Sequence, residues 1–150
     1  MAARPTLRLA GEMKSVSGNK EASGDIGQLR RIRDNRPEGF LVLSGDDGMT
    51  LDLMLRGGGG VSAGAANGFP KRFMQCVGHA KQGDFDRAEE EYRALDEAVH
   101  ALFEEGNPVG AKCALSMMGK IGPTTRLPLV AGSQAPHHTF SPPITEHDLR

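Results

Sequence analysis

Phe40-Leu41-Val42-Leu43 is the feature that most constrains the fold of this chain. Four consecutive apolar residues without alternation, closed by the polar turn Ser44-Gly45-Asp46-Asp47, predict a strand buried on both faces, as in a parallel sheet. Two weaker apolar runs flank it. Met13 to Asn19 has Val16 as its best strand former, and Val61 to Ala66 follows the glycines at 57–60. Between the runs lie two segments of helical character. Gly24 to Arg33 carries Ile26, Leu29 and Ile32 at helical spacing, and Pro37 stops it. Met49 to Leu55 follows a possible Asp47 cap. The order β-α-β-α-β with short connections predicts an α/β fold with a parallel sheet and right-handed crossovers.

The back half reads as helical. Pro70 can start a helix at its first position, and Gly83 ends the run through Phe73, Met74 and Val77. Asp84 caps the next helix, whose stripe of Phe85, Ala88, Tyr92, Leu95, Val99 and Leu102 steps by three and four. That stripe is core packing and carries no chemistry. Glu89 and Arg93 stand four apart in the favourable order. Asn107-Pro108 opens a third helix through Ala111, Cys113, Ala114, Leu115 and Met118, ending near Gly119 and Pro123. From Ser133 to Arg150 the composition shifts to Pro, His, Thr and Ser, which reads as a poorly ordered tail.

Charge and composition exclude several functions. With 18 basic against 19 acidic residues the net charge is -1, which gives no long-range attraction to nucleic acid or to an anionic membrane surface. The N-terminal stretch has Arg4, Arg8 and Lys14 but no continuous apolar core, so no signal peptide is expected. No apolar run approaches the ~20 residues of a membrane span, and a cytoplasmic location is expected. Cys76 and Cys113 form no C-x-x-C pair, so neither a zinc site nor a redox motif is suggested, and free thiols are the simpler reading. His137-His138 has no second ligand pair at helical spacing, so tail composition accounts for it and no metal is expected.

The residue best placed for chemistry is Lys20, which ends the first apolar run within Gly18-Asn19-Lys20-Glu21-Ala22-Ser23-Gly24. In β/α barrels the C-terminal strand ends carry the active site. An amine held at such a position attacks a carbonyl once it is neutral, and partial burial favours the neutral form. A lone lysine without further context is otherwise an ordinary surface residue. Asp46 and Asp47 at the second strand end suit Mg²⁺ or acid–base work, or equally a turn and helix cap, which is the favoured reading. The glycines at 57–60 precede a strand and no Gly-Lys-Ser/Thr follows, so they are not a phosphate loop.

These pieces occur together, in order, in one family. Gly18-x-Lys20-Glu21-Ala22-Ser23-Gly24 resembles the Schiff-base lysine motif of the dihydrodipicolinate synthases. Leu43-Ser44-Gly45-Asp46-Asp47 resembles the end of their seventh barrel strand, and Gly60-Val61-Ser62 through Ala66-Asn67 their eighth. Asn107-Pro108-Val109-x-Ala111-Lys112 resembles their asparagine-proline helix start, and Gly119 with Arg126-Leu127-Pro128-Leu129 their closing segment. The lysine motif is shared with the sialic-acid and keto-deoxy-sugar lyases, while the Ser-Gly-Asp-Asp and Arg-Leu-Pro segments favour dihydrodipicolinate synthase.

The resemblance implies a partial TIM (β/α)8 barrel, strands six to eight with their following helices, plus a C-terminal helical segment. It places the barrel part with its closing helices at residues 1–106, the C-terminal helix and closing segment at 107–132, and a disordered tail at 133–150. It implies a class I aldolase-type lyase of lysine biosynthesis that condenses pyruvate with aspartate semialdehyde, with no cofactor beyond a covalent imine between Lys20 and pyruvate. Ser62 falls beside the pyruvate, and Gly45 and Asp46 line the barrel mouth. A complete barrel takes roughly 200 residues or more. The pyruvate-orienting threonines, the proton-relaying tyrosine, the arginine for the second substrate and the inhibitory lysine site are therefore expected on an absent N-terminal half. The expected partners are pyruvate, a small aldehyde, and either further copies of the chain or a complementing N-terminal half. A non-catalytic partial barrel acting as an assembly partner, and a related pyruvate-dependent aldolase, are the alternatives.

Overall fold

The computed structural model describes residues 1–132, so the tail reading at 133–150 and His137-His138 lie outside the described residues. The chain divides into two units, Met1–Ala63 and Gly64–Arg150. The first holds α1 (Ala3–Glu12), β1 (Gly18–Glu21), α2 (Ile26–Asn35), β2 (Leu41–Ser44), α3 (Thr50–Leu55) and β3 (Gly60–Val61). The second holds α4 (Ala65–Gly68), α5 (Pro70–Lys81), α6 (Phe85–Arg93), α7 (Asp96–Glu104) and α8 (Val109–Met117).

The expected α/β order is present. Three parallel strands pair in the order β1-β2-β3, with Lys20 opposite Leu43 and Leu43 opposite Gly60. Side-chain alternation then sorts the sheet into two faces. One face carries Val42 and Ser44, both fully buried, with Phe40 beside them. Here Leu29 and Ile32 of α2, Ala3 of α1, and Met49 and Leu53 complete an apolar cluster. The helical spacing of Ile26, Leu29 and Ile32 therefore presents one stripe to one sheet face. Asp25 caps α2 by accepting the Gln28 N–H at 2.9 Å, and Arg36 leaves the helix in extended backbone because Pro37 follows.

Several boundaries differ from the sequence expectations. The first strand is Gly18–Glu21, not Met13 to Asn19; the ladder to β2 starts at Gly18 opposite Leu41, while Val16 packs beside the core outside the strand. The sequence expectations held no helix before the first strand, yet α1 lies there; it contains Pro5 in its first turn, where its missing N–H is harmless. The helix α3 begins at Thr50, not Met49, and the Thr50 N–H donates to the Asp47 carbonyl at 3.3 Å. The third strand has two residues, and Ala65 and Ala66 already belong to α4. Gly60 enters that strand at φ 146°, a backbone region closed to most side chains.

Leu41 is the instructive departure. The continuous apolar run predicts burial on both faces, yet Leu41 is 53% exposed and Leu43 only half-buried. Both lie on the face opposite Val42, and in this unit no second layer of elements covers that face. The run thus records a packing partner that residues 1–63 do not supply.

In the second unit α5 starts at Pro70, and Gly83 at φ 81° ends the segment. Within the run through Phe73, Met74 and Val77, Met74 is 64% exposed, while Phe73 is buried, as is Cys76. Asp84 caps α6 through the Arg87 N–H, and Glu89 pairs with Arg93 at 2.6 Å. The long stripe is split between two helices. The Leu95 N–H donates to Tyr92 at 2.9 Å, a three-residue step that tightens the turn, and α7 restarts with Asp96 and Glu97 at its N-terminus. Ala88, Leu95, Val99 and Leu102 remain buried. Among the described residues no helix is long and apolar enough to cross a membrane.

One ion pair in the first unit carries a pH prediction. Arg56 grips Asp52 one turn earlier, with Nε and Nη2 at 3.0 and 2.8 Å from Oδ1. Arg33 of α2 and Arg36 just past it donate to the Arg56 and Gly57 carbonyls, each at 3.2 Å, and so tie down the turn that leaves α3. The hydrogen bond from Arg56 holds the Asp52 carboxyl below its ordinary value against an opposing effect of burial, helped by the charges of Arg56, Arg30 and Arg33. A depressed folded-state pKa stabilises above the unfolded value of about 3.9 and fades as pH falls through the folded value. Wild type is expected to exceed Asp52→Asn in stability at pH 6, with the gap closing below about pH 4. Urea titrations at both pH values check this; a gap independent of pH overturns it.

Candidate functional site

The three parallel strands end together. Beyond the strands proper the ladder continues by one residue: the Gly45 N–H donates to the Glu21 carbonyl at 2.7 Å, and the Ser62 N–H to the Ser44 carbonyl at 2.8 Å. Because Glu21 pairs with Ser44 and Ser44 with Val61, the next residues, Ala22, Gly45 and Ser62, stand level across the sheet. By alternation they share a face with Lys20 and Leu43, the face left open in this unit. Lys20 is exposed. It lines a cleft of about 270 Å³ with Met1, Asn19, Glu21, Ala22 and Ser23. Three of the four residues singled out from sequence, Lys20, Gly45 and Ser62, therefore gather at the C-terminal edge of one sheet face.

Asp46, the fourth, is engaged in the turn. Its Oδ1 accepts the Gly48 N–H at 2.9 Å, and its carbonyl accepts the Ser44 and Thr50 hydroxyls at 2.5 and 3.2 Å. Asp47 is 1% exposed. Among the described residues no group of three or more His, Cys, Asp or Glu side chains is placed to hold a metal ion. Cys76 and Cys113 are both buried. Burial, with Glu91 adding to it, pushes the Cys76 thiol up to about 11, and burial also raises that of Cys113. Neither thiol is activated as a nucleophile in these surroundings.

Sequence reasoning missed the part played by Glu21. It is 3% exposed, on the helix-facing side of β1. Its Oε1 accepts the Ser23 N–H at 3.0 Å and Gln28 Nε2 at 3.1 Å, and its Oε2 is 3.5 Å from Asn19 Nδ2. Gln28 also donates to the Met1 carbonyl at 3.2 Å. This carboxylate thus ties the β1–α2 turn to the first turn of α2 and to the chain start, and fixes the backbone directly after Lys20. The available signal was alternation: a residue next to an open-face lysine must face the helices, where a carboxylate needs donors.

A model of the Dihydrodipicolinate synthetase family matches residues 1–146. The chain belongs to that family. The 4-hydroxy-tetrahydrodipicolinate synthase of Parabacteroides distasonis is 46% identical over 130 residues, covering 87% of this chain and 44% of that protein. The crystal structure of the Thermotoga maritima dihydrodipicolinate synthase is similar with a TM-score of 0.92 at 33% identity, over 99% of this chain and 52% of that one. The chloride-inhibited dihydrodipicolinate synthase of Acinetobacter baumannii, crystallised with pyruvate, is similar with a TM-score of 0.87 at 29% identity, over 95% and 49%. The chain therefore spans about half the length of the relatives it matches, and its α/β fold is that of the corresponding half of the dihydrodipicolinate synthases.

Proposed function

We propose that this chain is the strand six to eight portion of a (β/α)8 barrel, and that Lys20 forms an imine with pyruvate in a 4-hydroxy-tetrahydrodipicolinate synthase-type condensation. The observation that carries this reading is the gathering of Lys20, Gly45 and Ser62 on one uncovered sheet face, at the carboxyl ends of parallel strands. The pyruvate in the related Acinetobacter baumannii structure supports the same substrate here. On this reading residues 1–106 are the C-terminal part of the barrel with its closing helices, and 107–132 form the C-terminal helix and closing segment.

The chemistry follows from the amine. Lys20 Nζ attacks the pyruvate keto carbon, the carbonyl oxygen leaves as water, and the resulting imine draws electrons from the adjacent methyl. A proton lost from that methyl gives an enamine whose carbon adds to the aldehyde of aspartate semialdehyde. Attack on the imine carbon by water or by the amino group of the aspartate semialdehyde portion then breaks the bond to Nζ, releases the product and returns the amine. Ser62 lies beside the pyruvate, and Gly45 and Asp46 border the mouth. The proton-transferring and carboxylate-binding groups come from the complementing N-terminal half, whose strands would cover the face bearing Leu41 and Leu43.

The test is borohydride trapping with pyruvate, read by intact mass and peptide mapping, on the chain alone and mixed with the N-terminal half of the Parabacteroides distasonis relative. An adduct on Lys20 is the expected result. A folded sample that traps nothing in either condition overturns the reading.

The exposed Leu41 favours a second reading, in which the half-length chain is a non-catalytic partial barrel that assembles with a partner chain or with itself. Light scattering is then expected to show self-association of the isolated chain. A monodisperse monomer over a wide concentration range would sink that idea.

A further inference from the structure

Gly45 is placed where any side chain would collide with the stem of Lys20. A Cβ built on Gly45 would stand 2.7 Å from Lys20 Cε, 2.8 Å from Lys20 Cγ and 2.7 Å from Ala22 Cβ. Ordinary carbon–carbon contact is about 3.5–4.0 Å. Gly45 is not in the left-handed backbone region, so conformational freedom does not explain the glycine here. Its backbone is anchored, since the Gly45 N–H donates to Glu21 at 2.7 Å. Glu21 is in turn fixed by its buried carboxylate, held by Gln28 and the Ser23 N–H. The bare Cα of Gly45 is therefore a fixed ledge, level with Ala22, across which the lysine methylenes run.

We infer that Gly45 is a positioning residue for Lys20: its missing side chain makes the ledge on which the lysine stem lies, and so sets where Nζ can meet a carbonyl carbon. The family resemblance places Gly45 at the barrel mouth; the ledge gives it a further task, acting through the lysine. The catalytic meaning of the ledge rests on the lyase reading above, but the hold on the stem does not. Reacting atoms must be aligned at about 3–3.5 Å, and a displacement of about 1 Å is enough to lower rates a hundredfold.

The test separates these two layers. Reductive ¹³C-methylation of the whole chain places one NMR probe on each lysine, with the Lys20 signal assigned by its loss in Lys20→Arg. In wild type the Lys20 dimethylamine signal is expected to stand apart from those of the other lysines, because its stem is held. In Gly45→Ala it is expected to move onto them. Gly45→Ala also meets Ala22 Cβ, so strain at the strand ends could produce the same change. Ala22→Gly/Gly45→Ala removes that second collision and leaves only the one with Lys20. If the ledge acts through the lysine, the double variant recovers its unfolding midpoint but keeps the collapsed Lys20 signal, and its pyruvate trapping rate stays at least about tenfold below wild type. A Lys20 signal that coincides with the other lysines in wild type, is unchanged in Gly45→Ala, or returns in the double variant overturns the inference. Absence of trapping in wild type would count against the lyase reading alone, because the NMR arm judges the ledge without pyruvate.

Discussion

Lys20→Arg is expected to lose the pyruvate adduct completely while unfolding at the same midpoint as wild type. Arginine keeps a long stem that can lie over Gly45 and keeps the positive charge, so packing and electrostatics change little. Its guanidinium stays protonated at any working pH and offers no free amine to a carbonyl. Loss of trapping with unchanged folding would therefore isolate nucleophilicity as the property that matters. Peptide mapping makes the result decisive. An adduct that persists in Lys20→Arg and maps to Lys14, or to a lysine of the second unit, would mean that pyruvate condenses with exposed amines in general. Lys20 would then hold no special place.

Gly110→Ala is expected to destabilise the second unit by about 2–3 kcal/mol. Gly110 opens α8, and a Cβ there would stand 2.2 Å from the Leu102 carbonyl oxygen and 2.7 Å from its carbonyl and α carbons. All three are backbone atoms of α7, so no rotamer change can make room. Leu102 is 2% exposed and Val109 5%, so the helix cannot slide outward without opening the core around them. Gly78→Ala in α5 is the control, since a Cβ there meets nothing within 4 Å. That change should stabilise by about 0.4–1 kcal/mol, through lost freedom of the unfolded chain and better helix propensity. Urea denaturation of both variants by far-UV circular dichroism checks the pair. Equal midpoints for Gly110→Ala and wild type would show that α7 and α8 do not approach as closely as described.

Much of the first unit could be read from local pattern. Helical spacing of Ile26, Leu29 and Ile32 and the stop before Pro37, like the Asp84 cap in the second unit, are short-range effects, each decided within a turn of chain. The lysine, Ser-Gly-Asp-Asp and Gly-Val-Ser segments pointed to a family, which the match over residues 1–146 establishes. Boundaries were harder wherever a residue obeys the ladder more than its own propensity. Gly18 to Glu21 contains no strong strand former, yet it pairs residue by residue with Leu41 to Ser44. Hydrogen bonding to an existing strand outweighs weak propensity.

The sequence by itself determined the β-α-β-α-β order of the first unit and its parallel sheet, because periodicity and turn chemistry are properties of neighbouring residues. Only the tertiary structure decided which residues meet. Register put Gly45 under the stem of Lys20 and Ser62 level with it; alternation turned Glu21 inward to Gln28; the approach of α8 to α7 demanded a glycine at 110. Those contacts run from seven positions apart (Glu21 to Gln28) and eight (Leu102 to Gly110) to 25 (Lys20 to Gly45), and each is fixed by hydrogen-bond ladders and steric exclusion, which periodicity and turn chemistry do not carry. The apolar face of Leu41 and Leu43 belongs to the same class: the chain encodes its hydrophobicity, and what covers it is set by atoms beyond these strands.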